Sequence, residues 1–227
     1  MGKWLSTLVY LAVSVFLTRL IPFSSFFRNV DTMIHEFSHA LTALVLSGRV
    51  LGIELHADHS GVTYTRLVSS WSSLPVSMSG YIGASLFSLL LFALHHRRAQ
   101  RLGLALALAV AAVMIVLFVH GGFGLGWLAV FIALTAVMLF AGPKLRSFYY
   151  LLLAFLTLEE SALAPISLAL TALARPSAAG DASNLAAETG VPAILWALLF
   201  VLVSLVCATR SLQLFMRGRK EERTYGR

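Results

Sequence analysis

Apolar residues along this chain gather in runs of about 17 to 25, long enough to cross a bilayer as helices, with short polar turns between them. That pattern predicts helices near residues 4–23, 73–94, 102–120, 124–141, 149–173 and 190–209. Residues 32–47 predict one more, distinct because His35, Glu36 and His39 sit among its apolar positions. The pattern then changes. Val50 to Leu55 and Val62 to Thr65 are extended, β-branched pieces around the turn Ala57-Asp58-His59-Ser60-Gly61, which predicts a small hairpin. The expectation is an all-α polytopic membrane protein: six to seven transmembrane or re-entrant helices, with a small β-hairpin after the histidine-bearing helix. Residues 1–210 would form a single integral-membrane domain and residues 211–227 a basic cytoplasmic tail.

Composition agrees. The chain of 227 residues is 59% hydrophobic and 12% charged, where a soluble domain is about one quarter charged. Lys3 ahead of the first run gives it the look of a signal peptide, but no small-x-small cleavage site follows, so it reads as a mature helix. Cys207 is the only cysteine, which rules out an intramolecular disulfide or a thiolate cage, so any metal must use His, Asp or Glu.

A net charge of +7 raises nucleic acid as a partner, but the basic residues sit at the ends of apolar runs: His95 to Arg98 with Arg101, Lys144 with Arg146, and the tail from Arg210. That is the pattern of cytoplasmic anchoring. The expected partner on this ground is the lipid bilayer, with no nucleic acid; the compact size and the lack of a transit-peptide pattern make the expected location a cell membrane of bacterial type. If these clusters are cytoplasmic, the third and the last helices end inside and the fourth and fifth form a hairpin through Gly121-Gly122. Residues 32–47 then have two possible courses. A full crossing puts Arg28 inside; a dip and return puts Lys3 inside and Arg28 outside, and charge alone does not choose. Ser79 to Ser85 has small residues three and four apart, which predicts a helix-packing face.

The chemistry is concentrated at His35-Glu36-Phe37-Ser38-His39. Histidines four apart share one helical face and can hold one zinc ion. Glu36 follows the first of them, where a carboxylate reaches a water at the metal as general base. Such groups are costly in lipid unless they face a polar cavity. A polar packing cluster or a proton relay is the plainer reading of the same residues.

His35 to Ala40, an apolar helix, Ser47-Gly48, the extended Ser60-Gly61-Val62-Thr63 and Gly80 to Ser85 together resemble the M50 metallopeptidases, the site-2-protease-like intramembrane enzymes, and above all their M50B-like branch. The resemblance implies zinc held by His35, His39 and a distant aspartate, Glu36 as the base, and residues 50–65 as an edge that presents an extended substrate. It would make the chain a zinc-dependent endopeptidase acting on membrane-embedded or membrane-proximal substrates, with a transmembrane protein substrate as its partner.

The segment of this chain most like the one carrying the family's third ligand is Gly180-Asp181-Ala182-Ser183-Asn184, which makes Asp181 the candidate. The better-known site-2 proteases have an Asp-Gly pair, and here Ala182 follows. Asp181 also reads as a helix N-cap. Glu160 or Glu159, midway along an apolar run, is the alternative third ligand, or else a partner of Arg19 in the first helix. His56 and His59 read as turn residues, His120 and His95-His96 as interfacial anchors, Glu188 as a solvated helix end and Trp196 as a membrane-facing or packing aromatic. The competing functions are a non-catalytic scaffold of the same fold, or a transporter using intramembrane Glu and His.

Overall fold

The computed structural model describes residues 3–21 and 24–217. Its elements are α1 (Lys3–Val15), continued by a wider π-type turn at Phe16–Leu20, α2 (Ser24–Val45), β1 (Arg49–Leu55), β2 (Gly61–Arg66), α3 (Ser73–His96), α4 (Gln100–Leu117), α5 (Gly122–Phe140), α6 (Pro143–Ala174), α7 (Gly180–Thr189) and α8 (Ala193–Arg217). Six helical stretches among the described residues are long and apolar enough to span: α1 with its π-type turn, α3, α4, α5, α6 and α8. The chain is an integral, multi-pass membrane protein. Three helices outrun their sequence-based limits: α2 begins at Ser24, α6 at Pro143, and α8 runs on to Arg217. Ser211 to Arg217 of the expected tail thus continue α8, and residues 218–227 lie outside the described residues.

Where the helix ends meet fixes the course of the chain. Lys3 Nζ donates to the Phe215 carbonyl at 2.6 Å, so α1 starts where α8 finishes. His95 packs on Phe215, with ring centroids 5.5 Å apart, which brings the end of α3 to the same place. Gln100 bonds both His95 and Ser147, adding the starts of α4 and α6. The end of α1 and the start of α3 therefore share the opposite end, as do the end of α6 and the start of α8. It follows that α2 and α7, which join these pairs, return to the end they left. Residues 32–47 do not cross; of the two courses open to them, the chain takes the dip.

α6 is the central helix. Two-thirds (67%) of its most apolar window is buried, against 17% for α1. Phe92, Phe155 and Phe215 pack edge to face around it in the half near Lys3. In the other half, Trp127 of α5 stacks on Phe131 and donates Nε1 to the Phe26 carbonyl, fixing the start of α2. β1 and β2 pair antiparallel, with Ile53 opposite Thr63. The outer edge of β1 is partly covered, since Ile53 N donates to the Phe118 carbonyl after α4.

Candidate metal centre

α2 has two faces because its polar residues recur three and four apart. Val30, Met33, Ile34, Ala40 and Ala43 are buried on one side, while Arg28, Asp31, Thr32, His35, Glu36 and His39 line a cavity of about 870 Å³ on the other. β2, α3, α6 and α7 supply the remaining walls.

Within that cavity His35 Nε2 and His39 Nε2 lie 3.0 Å apart. Asp181 Oδ2, on α7, is 3.2 Å from the first and 3.3 Å from the second. The His39 Nδ1–H points at the Val76 carbonyl, 2.6 Å away, which leaves its Nε2 lone pair turned toward the aspartate. Two imidazole nitrogens and a carboxylate oxygen thus converge with their lone pairs facing inward, a donor set that repels itself unless something positive lies between. The fit to zinc is close: ligands about 2.0 to 2.1 Å from a tetrahedral ion are separated by about 3.3 Å.

α3 allows this approach because position 80 has no side chain. A Cβ there would collide with both imidazole rings. Gly83, one turn on, packs against Ser38 in the same way, so the small-residue face is where α3 crosses α2, as the sequence indicated. Tyr81 stands edge-on to His35 at 4.6 Å and stacks on Phe200 of α8 at 5.1 Å, fixing the first imidazole from the other side.

Glu36 faces β2. The Thr63 hydroxyl lies 2.6 Å from Glu36 Oε2 and 3.1 Å from its main-chain carbonyl, and Gly61 packs directly on the side chain. Glu36 Oε1 has no hydrogen-bond partner among the described residues. The hairpin turn is held to α2 by Thr32 Oγ1, which donates to the His59 carbonyl at 2.8 Å, and by Asn29 Nδ2, which donates to the His56 carbonyl at 3.3 Å.

Asp181 sits in the first turn of α7, whose N-cap is Ala179 with no side-chain cap. Its carboxylate goes to the histidines and not to the helix end, so the capping alternative is not what the chain adopts. Ser183 takes that role, accepting from Ala179 N and donating to the Pro176 carbonyl. Glu188, near the end of the same helix, bonds Ser73 at the start of α3; Trp196 donates Nε1 to Thr189 Oγ1 at 3.3 Å and packs against the apolar cluster that includes Leu185 and Ala197.

The alternative third ligands are elsewhere. Glu159 accepts from Thr18 at 2.8 Å and pairs with Arg19 at 3.3 Å; Glu160 pairs with Arg19 at 2.7 Å and Arg28 at 2.9 Å. Among the described residues, the group that offers three converging metal-ligand atoms is His35, His39 and Asp181, and neither glutamate belongs to it. Both carboxylates are neutralised by arginine, which takes from them the free charge that an ion pathway would use.

His56 is exposed, and His59 has a positive φ of 64° in the hairpin turn. Half-burial, and then the charge of Arg28 3.4 Å from its Nδ1, push the pKa of His59 down to about 4. Asp58 beside it is held below the usual carboxylate range by the Ser60 hydroxyl and main-chain N–H.

A helical bundle with six apolar spans, a histidine pair and a distant aspartate at one point, and a hairpin laid across them has a counterpart among known sequences. The profile of a family described as Peptidase M50B-like matches residues 6–210. The chain belongs to this family. No curated protein and no solved structure matches it. The match runs from within α1 to within α8 and so takes in both α2, with His35 and His39, and α7, with Asp181.

Sequence reasoning missed Thr63, Tyr81 and the Val76 carbonyl, whose roles come only from the crossing of α3 and β2 over α2. Gly80 had a signal, a glycine inside a packing face, but not the identity of what it packs against.

Proposed function

We propose that this M50B-like protein is a zinc-dependent intramembrane endopeptidase that hydrolyses peptide bonds of membrane-embedded or membrane-proximal proteins. One observation carries the reading: His35, His39 and Asp181 converge beside the Glu36 carboxylate on the wall of a polar cavity inside an apolar bundle. Zinc held by those three side chains would polarise the scissile carbonyl and bring the acidity of a nearby water close to neutral pH.

The remaining chemistry belongs to this chain's own groups. Glu36 accepts the proton of the attacking water through Oε1 and delivers it to the leaving amine. Thr63 keeps Oε2 occupied, so the base meets the water in one orientation. A peptide bond within a helix is shielded, so the substrate must first unwind, which frees backbone groups that lipid cannot satisfy. β2 lines the cavity and has β1 as its only ladder partner among the described residues, leaving an edge that can pair with an opened strand.

The test is metal content together with cleavage. Purified wild type and Glu36→Gln should each carry about one zinc, the number one centre of this type holds, and Asp181→Asn should lose it. Only wild type should cut a transmembrane reporter. Wild type that stays metal-free after zinc repletion would refute the reading, and cleavage untouched by Glu36→Gln would remove Glu36 from its role.

A further inference from the structure

We propose that Asp31 forms a cation-accepting subsite of the metal-centre cavity, which takes the Lys or Arg side chain of a substrate about two residues from the bond that is cut. Its meaning for cleavage rests on the peptidase reading above; its affinity for a cation does not.

Asp31 lies one turn before His35 on the cavity face of α2 and lines the cavity, although the residue is only 8% exposed. Its Oδ1 is buried without a hydrogen-bond partner, and the carboxylate forms no ion pair among the described residues. The nearby arginines are committed elsewhere. Arg28 sends Nε to Glu160 at 2.9 Å and lies 3.4 Å from His59 Nδ1, while Arg19 is divided between Glu159 and Glu160. The charges that act on Asp31 are those of Glu160, Glu159 and Arg28. Three carboxylates, Asp31, Glu159 and Glu160, thus share two guanidinium groups, and His59, with a pKa of about 4, adds no positive charge at neutral pH. The cluster is one positive charge short, and the deficit falls on the carboxylate that borders the cavity. A buried carboxylate without a partner is costly in an apolar bundle. A cation carried in by a ligand removes that cost.

The cavity also sets where along a substrate the cation sits. β2 runs beside α2, with Gly61 against Thr32 and Glu36, Thr63 Oγ1 donating to the Glu36 carbonyl, and Arg66 beside Gly48 past the end of α2. A strand paired with β2 therefore follows α2. Asp31 and His35 are one helical turn apart, about 6 Å at 1.5 Å per residue, a distance that an extended chain covers in about two residues at 3.3 Å each. Lys and Arg have apolar stems that can lie along Ala164 and Leu168 of the cavity wall while the charged head meets the carboxylate. An acidic residue at the same place is repelled by Asp31.

The experiment reads binding without turnover. Glu36→Gln protein in detergent is titrated with a fluorescent transmembrane peptide that carries Lys, Met or Glu at one position, moved stepwise along its length. At one position the Lys peptide should bind about tenfold or more tighter than the Met peptide, the weight of a hydrogen bond to a charged group, and the Glu peptide more weakly than either. Asp31→Asn should erase the difference between Lys and Met while keeping its metal and its affinity for the Met peptide; Asp31→Glu should retain the difference. Equal binding of Lys and Met peptides at every position would overturn the subsite without any change at Asp31. A Lys preference that survives Asp31→Asn, or loss of metal in that variant, would overturn it too, the first by giving the cation to another group and the second by making Asp31 a support of the centre. Protein that binds with this preference while wild type cuts nothing would refute the peptidase reading and leave the subsite standing; cleavage by wild type with no such preference would do the reverse.

Discussion

A methyl group at position 80 would have nowhere to go. Its neighbours are the ring atoms of His35 and His39, and behind it is the backbone of α3, which cannot retreat without breaking the Gly83–Ser38 contact one turn on. Gly80→Ala should therefore bring metal content down to the level of Asp181→Asn in elemental analysis, while the fold persists by circular dichroism. Gly126→Ala, in α5 with open space around it, should keep its metal and serve as the control. At this scale His35, Glu36 and His39 could be read from sequence, because their spacing alone sets which helical face they share. Asp181 could be reached only by resemblance, since nothing local separates a ligand from a cap. Glu159 and Glu160 drew suspicion as buried carboxylates; their pairing with Arg19 was the alternative the sequence offered, and the fold adds Arg28 of α2 as a second partner of Glu160.

The hairpin is the element with its own pH response. His59 is neutral in the folded chain because its pKa is lowered from 6.5 to about 4. A depressed pKa means that the unfolded turn binds the proton more readily. The turn's stability is thus fully present above pH 6.5 and is lost as pH falls towards 4. Hydrogen exchange across residues 56–62, corrected for intrinsic rates, should accelerate between pH 7 and pH 5. His59→Asn should remove that dependence and keep the turn, because Asn tolerates the positive φ that His59 adopts. The hairpin and most of the spans were visible in the hydrophobic pattern. The first two turns of α2 were not, because Ser24 to Asp31 are too polar to read as a buried helix. Their polarity makes sense once Arg28 meets Glu160 and Asn29 meets the hairpin.

The whole molecule is fastened where α1, α2 and α6 meet. Arg19 serves two glutamates that are almost entirely buried, and Arg28 ties one of them to the hairpin turn. Removing one partner of a buried ion pair typically costs about 3 to 5 kcal/mol, because the other charge is left without an answer. Arg19→Met should accordingly lower the apparent melting temperature in detergent, read by tryptophan fluorescence. Combining it with Glu159→Gln and Glu160→Gln should recover part of the loss, since the stranded charges then disappear; no recovery would argue that Arg19 acts by packing.

The division of the centre between α2 and α7 bears on how the protein is made. Its histidines leave the ribosome early, but the aspartate that faces them follows only after α3, α4, α5 and α6 have been synthesised. On the proposed ligand set, a nascent chain has no finished hydrolytic centre while α1, α3, α4, α5 and α6 are entering the membrane. On that reading the spans made before α7 enter the membrane ahead of any activity, and α8 alone of the six described spans is left to insert once Asp181 has emerged.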